Sequence, residues 1–399
     1  MKITDLETLH VDGGFSTFSY LKLSTDAGLT GWSEFSRHET VDGVIHSLRN
    51  QLVGSDPTNV AALDALFQSI NRRGPGGIFP RAAGAVMNAC LDIKGKEAGL
   101  PVYELLGGAI RDAIPVYWSH LGLFRAHYSQ FYDGKAIDRP AVRSLDDLQD
   151  TVREAVASGY KAIKSNIIRF DATRRTTHLR GLNRPLRPGY PELNASPAQI
   201  AAFADQLAAM REAGPELEIM FDLNYHFRPE GMRRFARAAE PYALGWLEVD
   251  LPDAAALAAI RQATATPIGS LEQIMGARGL RPFLDAEAVD VAIVDPQWVG
   301  IFEAVKMARI ADVYDVNVAA HCSGGPLGAR IAAHYCAAIP NLRIMEHEGD
   351  MLPWAHDLLT VRNHVEDGLF HLPFGPGWGA DVDEDVARAH PAKSKPDIR

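Results

Sequence analysis

Six ionisable residues each stand at the end of an apolar segment in the second half of this chain. "EIMFD" ends on Asp222, "LGWLE" on Glu248, "TPIGSLE" on Glu272, "VDVAIVD" on Asp295, "NVAAH" on His321 and "RIME" on Glu346. The steps are 26 residues (222 to 248), 24 (to 272), 23 (to 295), 26 (to 321) and 25 (to 346). Asp222, Glu248 and Glu272, brought to one place, repel unless a positive charge lies between them. Carboxylate oxygens alone suit Mg²⁺ or Mn²⁺, with water and substrate oxygens completing the shell. Asp295 and His321 end the next two segments. A carboxylate beside an imidazole orients it and raises its basicity, which makes a general acid/base near neutral pH. In "GYKAIKSNI", Lys164 ends an earlier segment and can neutralise an oxyanion or move a proton.

The elements that must position these residues follow from the same spacing. A strand, its loop, a helix and the return loop take about 25 residues, so the six segments are successive βα units. In an eight-stranded α/β barrel the C-terminal strand ends meet on one face, where active sites are built. "SPAQIAAFADQLAAMREAG" carries the expected helix signals, Ser196 at the N-cap, Pro197 at the first position and Gly214 past the end. Before about residue 113 the texture differs. "STFSYLKLSTDAGLTGWSE" alternates around the turn residues Asp26-Ala27-Gly28, and "AAGAVMNACLDIKGKEAG" is apolar at helical spacing until Gly99. The 399 residues, 47% hydrophobic and 23% charged, are ordinary for a globular chain of two domains or a barrel with an appended module. A formal charge of −10 without basic runs argues against nucleic acid or an anionic membrane as partner. No stretch approaches the roughly 20 apolar residues of a membrane span. "MKITDLETLH" lacks a signal-peptide core, and Cys90, Cys322 and Cys336 show neither metal-knuckle nor paired spacing. A reducing cytoplasm is the expected compartment.

These residues carry a resemblance to the enolase superfamily, in its mandelate racemase / muconate lactonizing enzyme branch, over nearly the whole chain. "GLTGWSE" is similar to the family's "GxxGWGE" hairpin, and "CLDIKGKEAGLPVYELLGG" to its "DIKGKxxGxPVxxLLGG" segment. The Asp, Glu, Glu, Asp, His, Glu series follows at the family's spacing. The resemblance implies a modified TIM barrel, (β/α)7β, under an α+β capping domain. The barrel is expected over 113–364, and the cap over 1–112, completed by 365–399. It also implies one Mg²⁺ on Asp222, Glu248 and Glu272, a His321–Asp295 dyad, Lys164 as the first lysine of a Lys-x-Lys pair, and Glu346 closing the site. The shared step is removal of the proton α to a carboxylate, giving an enediolate. Homo-oligomers, octamers or dimers, are the implied assembly.

The departures bear on the particular reaction. Asn166 stands where racemases and cycloisomerases carry the second lysine, and an amide takes no proton at pH 7. Lys-x-Asn and "AHCSGGP" resemble galactonate dehydratases, although Asn224 replaces their histidine and His226 lies two residues further on. Asn166, Asn224 and His226 are the polar residues expected to face the substrate. The family's "EEP" has become Glu248-Val249-Asp250, and its "GE" has become Leu271-Glu272. An insertion over 169–194, rich in Arg, Gly and Pro, is expected either to overhang the barrel mouth or to make oligomer contacts. The expected activity is Mg²⁺-dependent dehydration of a sugar acid to a 2-keto-3-deoxy acid, with His321 serving both proton steps by syn elimination. The alternatives are racemisation, epimerisation or cycloisomerisation, and a barrel that binds without catalysis. A Schiff-base aldolase on Lys164 would leave the carboxylate triad without purpose.

Overall fold

The structure is a computed structural model describing residues 1–35, 39–72, 76–170, 175–177 and 193–392. The chain opens with an antiparallel sheet of β1 (Ile3–Asp12), β2 (Thr17–Thr25) and β3 (Thr30–Phe35) in that order. The turn between β2 and β3 contains Gly28 at φ 75°, a left-handed geometry that costs glycine nothing. Helix Phe79–Ala98 packs on β3, and the approach is close: a Cβ on Gly31 would lie 2.2 Å from the Ala89 carbonyl. The helix stops at Gly99, φ 68°, as the sequence indicates.

Eight parallel strands then form a closed barrel. These are β4 (Ala113–Ser119), β5 (Ala162–Asn166) and, after the two-stranded excursion β6 (Ile168–Phe170) and β7 (Arg175–Thr177), β8 (Glu218–Asp222). They continue with β9 (Trp246–Glu248), β10 (Ile268–Ser270), β11 (Val291–Val294), β12 (Asn317–Ala320) and β13 (Leu342–Glu348). Pairing of β13 with β4 closes the ring. Helices separate consecutive barrel strands, while β13 is followed by the 3₁₀ segment Pro353–Leu358, so the architecture is (β/α)7β. The barrel interior is filled by Tyr117, Ala162, Met220, Trp246, Ile293, Ala319 and Ile344, a floor beneath the strand ends. Gly269 makes room for that floor, since a Cβ there would lie 2.4 Å from the Trp246 ring.

The C-terminal part divides its attachments. Strands β14 (Val365–Glu366) and β15 (Leu369–His371) form a hairpin whose β15 pairs antiparallel with barrel strand β4. Helix Glu384–Ala389 and the residues after it return to β1, through Asp12 N–H to the His390 carbonyl (2.9 Å) and Ala392 N–H to that of His10 (2.9 Å). Cap and barrel meet along helix Phe79–Ala98. The Asn88 amide donates to the Pro296 carbonyl (3.0 Å) and accepts from Ile301 N–H (2.8 Å), and Gly84 lies so close to Gly300 that a Cβ would meet its nitrogen at 2.5 Å. That seam braces the loop leaving β11, which begins with Asp295. Most of the 169–194 insertion, expected to overhang the mouth or to make oligomer contacts, lies outside the described residues. Among the described residues no helix is long and apolar enough to cross a membrane.

Candidate active site

Asp222 and Glu248 are the last residues of adjacent strands β8 and β9 and stand opposite each other in register. Asp250 follows two residues on. Carboxylate oxygens of these three buried residues lie within 4.8 Å of one another. Glu248 gives Oε2 to the Lys164 ammonium at 2.9 Å, while its buried Oε1 has no hydrogen-bond partner. Asp222 takes the backbone N–H of Asn224 (2.5 Å) and its side-chain amide (3.0 Å), and Asp250 takes the Ser270 hydroxyl (3.0 Å). Burial pushes the Glu248 carboxyl up to about 8, with Asp222, Glu272 and Glu346 adding to the shift against Lys164. Asp222 and Asp250 are raised for the same reason. An orphaned carboxylate oxygen among crowded acids is the environment a hard divalent cation satisfies.

Glu272 lies two residues beyond β10 and its two oxygens are engaged elsewhere. One accepts the Tyr225 hydroxyl, and the other is 3.0 Å from His321 Nε2. Despite burial, His321 and Tyr225 hold its carboxyl down at about 2. The sequence triad is thus brought to one mouth, but the set within ligand distance has Asp250 in the place of Glu272.

His321, just past β12, gives Nδ1 to Asp295 at 2.7 Å, the dyad expected from the sequence. Asp295 is itself fixed by the N–H groups of Gln297 (2.7 Å) and Trp298 (3.0 Å). Burial opposes a charge on His321, but Glu272, Glu346 and Asp295 outweigh it and hold the imidazolium well above its ordinary pKa. Lys164 is wedged between Glu248 and Glu346 (3.2 Å), and those two carboxylates likewise overcome burial to keep it charged. Glu346 accepts the Ser119 hydroxyl and Cys322 N–H (2.8 Å), which ties β13 to β4 and to the His321 loop. Asn166 donates to the Asp222 carbonyl (3.3 Å) and to Asn224 Oδ1 (3.1 Å), leaving its own buried oxygen unpaired. Asn224, at φ 54°, lies beside Asp222, and His226 is buried with its ring 6.0 Å from Phe227.

Comparison with known proteins fits this geometry. A family model described as Mandelate racemase / muconate lactonizing enzyme, N-terminal domain, matches residues 13–107, and one described as Enolase C-terminal domain-like matches 147–386. The chain belongs to this enolase-superfamily family. A D-xylonate dehydratase from Haloferax volcanii is 29% identical over 400 residues, covering 98% of this chain and 89% of that protein. A D-galactonate dehydratase from Ralstonia pickettii is 31% identical over 417 residues, covering 100% and 96%. A solved structure from Burkholderia xenovorans strain LB400, bound to magnesium and fumarate, has a TM-score of 0.93 at 38% identity, covering 98% and 97%; its name proposes an L-alanine-DL-glutamate epimerase.

Within the mandelate racemase / muconate lactonizing enzyme family, the departures now have physical settings. Leu271 occupies the glycine of the "GE" pair at φ 96°, a conformation that strains any L side chain by about 1–3 kcal/mol. That turn is what redirects the chain so that Glu272 enters the mouth. Several participants escaped the sequence reading. Glu34 of "GWSE", legible only as part of a hairpin, is buried and accepts N–H from Gly325 and Gly328 (2.8 Å), holding the first turn of the helix that follows the His321 loop. A Cβ on Gly328 would sit 1.9 Å from Gln297 Nε2, so any larger residue there must displace the Gln297 side chain. Arg81, from the cap helix, lies with its guanidinium 3.5 Å over the Trp298 ring, which is 4.8 Å from the His321 ring. Its type and position at a helix start gave no sign of this reach.

Proposed function

We propose that this chain is a divalent-cation-dependent dehydratase of a sugar acid, forming a 2-keto-3-deoxy acid. The observation that carries the reading is the His321–Asp295 dyad facing Lys164 across the mouth, with a non-basic amide, Asn166, where a second lysine would serve racemisation. The residues that would hold Mg²⁺, or Mn²⁺, are Asp222, Glu248 and Glu272, with Asp250 beside them. The cation would supply positive charge where negative charge develops on the substrate carboxylate.

In its neutral form His321 takes the α-proton at Nε2, the C–H electron pair passing into the enediolate, while Asp295 holds the imidazole and balances the charge it gains. Lys164, kept cationic by Glu248 and Glu346, stands beside the developing oxyanion. Loss of the β-hydroxyl with a proton then gives water and an enol, which tautomerises to the 2-keto acid. The sugar-acid dehydratases among the relatives support this choice of substrate class. Epimerisation is the second reading, favoured by the proposed name of the Burkholderia xenovorans neighbour. The deciding experiment is a screen of an acid-sugar library with Mg²⁺, reading 2-keto acid formation. His321→Asn should lower turnover by about 10²–10⁴-fold. A library that yields an epimer and no 2-keto acid would replace the first reading with the second.

A further inference from the structure

Dehydration moves two protons, one off the α-carbon and one onto the departing hydroxyl. His321 accounts for the first, and Asn166 offers nothing for the second. The rim of the barrel on the Lys164 side holds another imidazole. His120 directly follows β4, the strand between β13 and β5, and its Nδ1 lies 3.0 Å from Glu348 Oε2. Side chains two apart in a strand share a face, so Glu348 stands over the same inner face of β13 as Glu346, one layer nearer the mouth. Glu346 is the residue that contacts Lys164 (3.2 Å) and lies 3.6 Å from His321 Nε2. The charge of His120 is felt by both Asp222 and Glu346.

The local geometry is over-determined for one small side chain. His120 has φ 50°, in the left-handed region that a non-glycine residue adopts at a cost. Its ring stacks on Phe124 at 4.5 Å and 8°, and its carbonyl accepts Leu123 N–H (2.9 Å). Its other ring nitrogen, Nε2, has no hydrogen-bond partner among the described residues. The side chain is 18% exposed and that of Glu348 10%, so the pair is sheltered but not sealed from solvent. An imidazole held through Nδ1 by a carboxylate repeats that half of the His321–Asp295 arrangement, although His321 Nε2, unlike that of His120, also meets Glu272 at 3.0 Å.

We propose that His120, oriented by Glu348, is a second acid/base residue of this site, the one that hands a proton to the departing β-hydroxyl. The assignment rests on the dehydratase reading and adds the missing donor to it. As the enediolate collapses, the β C–O bond breaks with its electron pair going to oxygen. The proton on His120 Nε2 joins that oxygen and water leaves. His120 ends neutral and regains its proton from solvent, while His321 returns the α-proton to solvent. Glu348 acts through His120 and is a positioning residue.

The test uses the acid sugar that the wild-type enzyme converts, and its analogue with fluorine in place of the β-hydroxyl, because fluoride leaves without a proton. His120→Asn should lower dehydration by about 10²–10⁴-fold, yet retain α-proton exchange in deuterium oxide and fluoride release near wild-type rates. Glu348→Gln should lower kcat with KM held and likewise spare fluoride release. His321→Asn should lose exchange, dehydration and fluoride release together. Unchanged dehydration in His120→Asn would overturn the assignment, and so would a parallel fall of exchange, dehydration and fluoride release, which would mark a structural role. Absence of 2-keto acid from wild-type enzyme across the library would instead remove the dehydratase reading, and this assignment with it.

Discussion

Replacing Glu34 with Gln tests whether the cap grips the His321 loop through a charge that the fold resists. Glu34 is 1% exposed, and burial lifts its carboxyl from 4.5 to about 7, against the two backbone N–H bonds and Gln297 that favour the anion. A folded pKa above the unfolded one means that the stabilising contribution is complete below about 4.5 and is lost as pH rises through about 7. A gap of about 2.5 units at 1.36 kcal/mol each is about 3 kcal/mol. Ionised Glu34 therefore costs the native state that much above neutrality, relative to acid. Glutamine stays neutral, but its amide nitrogen cannot accept one of the two glycine N–H groups, a pH-independent penalty of about 1–3 kcal/mol. Urea unfolding of both proteins in EDTA, at pH 5 and pH 8.5, separates the two effects. Glu34→Gln should be less stable than wild type at pH 5 and gain about 3 kcal/mol on it by pH 8.5. A difference that stays constant within about 0.5 kcal/mol would refute the reasoning. The N–H groups of Gly325 and Gly328 would then outweigh burial and keep Glu34 ionised throughout.

Two further outcomes follow from the site. Mg²⁺ should raise the melting temperature of metal-free wild type, equivalent to about 2.7 kcal/mol at a hundred times its Kd, and should leave Glu248→Gln unmoved. An equal rise in both would take Glu248 out of the ligand set. Gly328→Ala places a Cβ 1.9 Å from Gln297 Nε2, so the Gln297 side chain must turn away beside the Asp295 loop, and kcat should fall about tenfold while the fold persists. Wild-type kcat in that variant would show that Gln297 moves without consequence.

The legible features were those written locally. Parallel barrel strands are buried on both faces, so they read as unbroken apolar runs, and a charge ending such a run stands out. Asp222, Glu248, Asp295 and His321 were found that way, while Gly99 and the Ser196 cap were legible as helix stop and start signals, and the structure adds a reciprocal Gln199 bond to that cap. Glu346 obeyed the same rule but also hid something. The strand runs on to Glu348, and a run that seems to end on one acid does not advertise the next. His120 and Glu348 are 228 residues apart, and nothing in either sequence context names the other. Asp250 read as a lapse in a motif, because strand alternation does not reveal that a loop will fold its carboxylate back toward Asp222. Glu272 was placed at the right strand end, yet which partners take its oxygens depends on Leu271 turning at φ 96°.

What separates the two classes is whether one element or two are needed to define the residue's position. Each strand carries its own terminal side chain to the mouth, so one segment suffices. The loops beyond the strand ends are held by groups from other parts of the chain. Asn88 and Gly84 brace the loop after Asp295, Glu34 fixes the turn after His321, and Arg81 covers Trp298 beside the His321 ring. All four come from the cap. The acid/base dyad is thus built by the barrel and aimed by the cap, so a cap substitution chosen to alter substrate preference can also move His321. Within this architecture, changes in specificity that spare kcat should come from cap residues outside helix Phe79–Ala98 and outside the Glu34 contact, because those two carry the supports of the dyad described above.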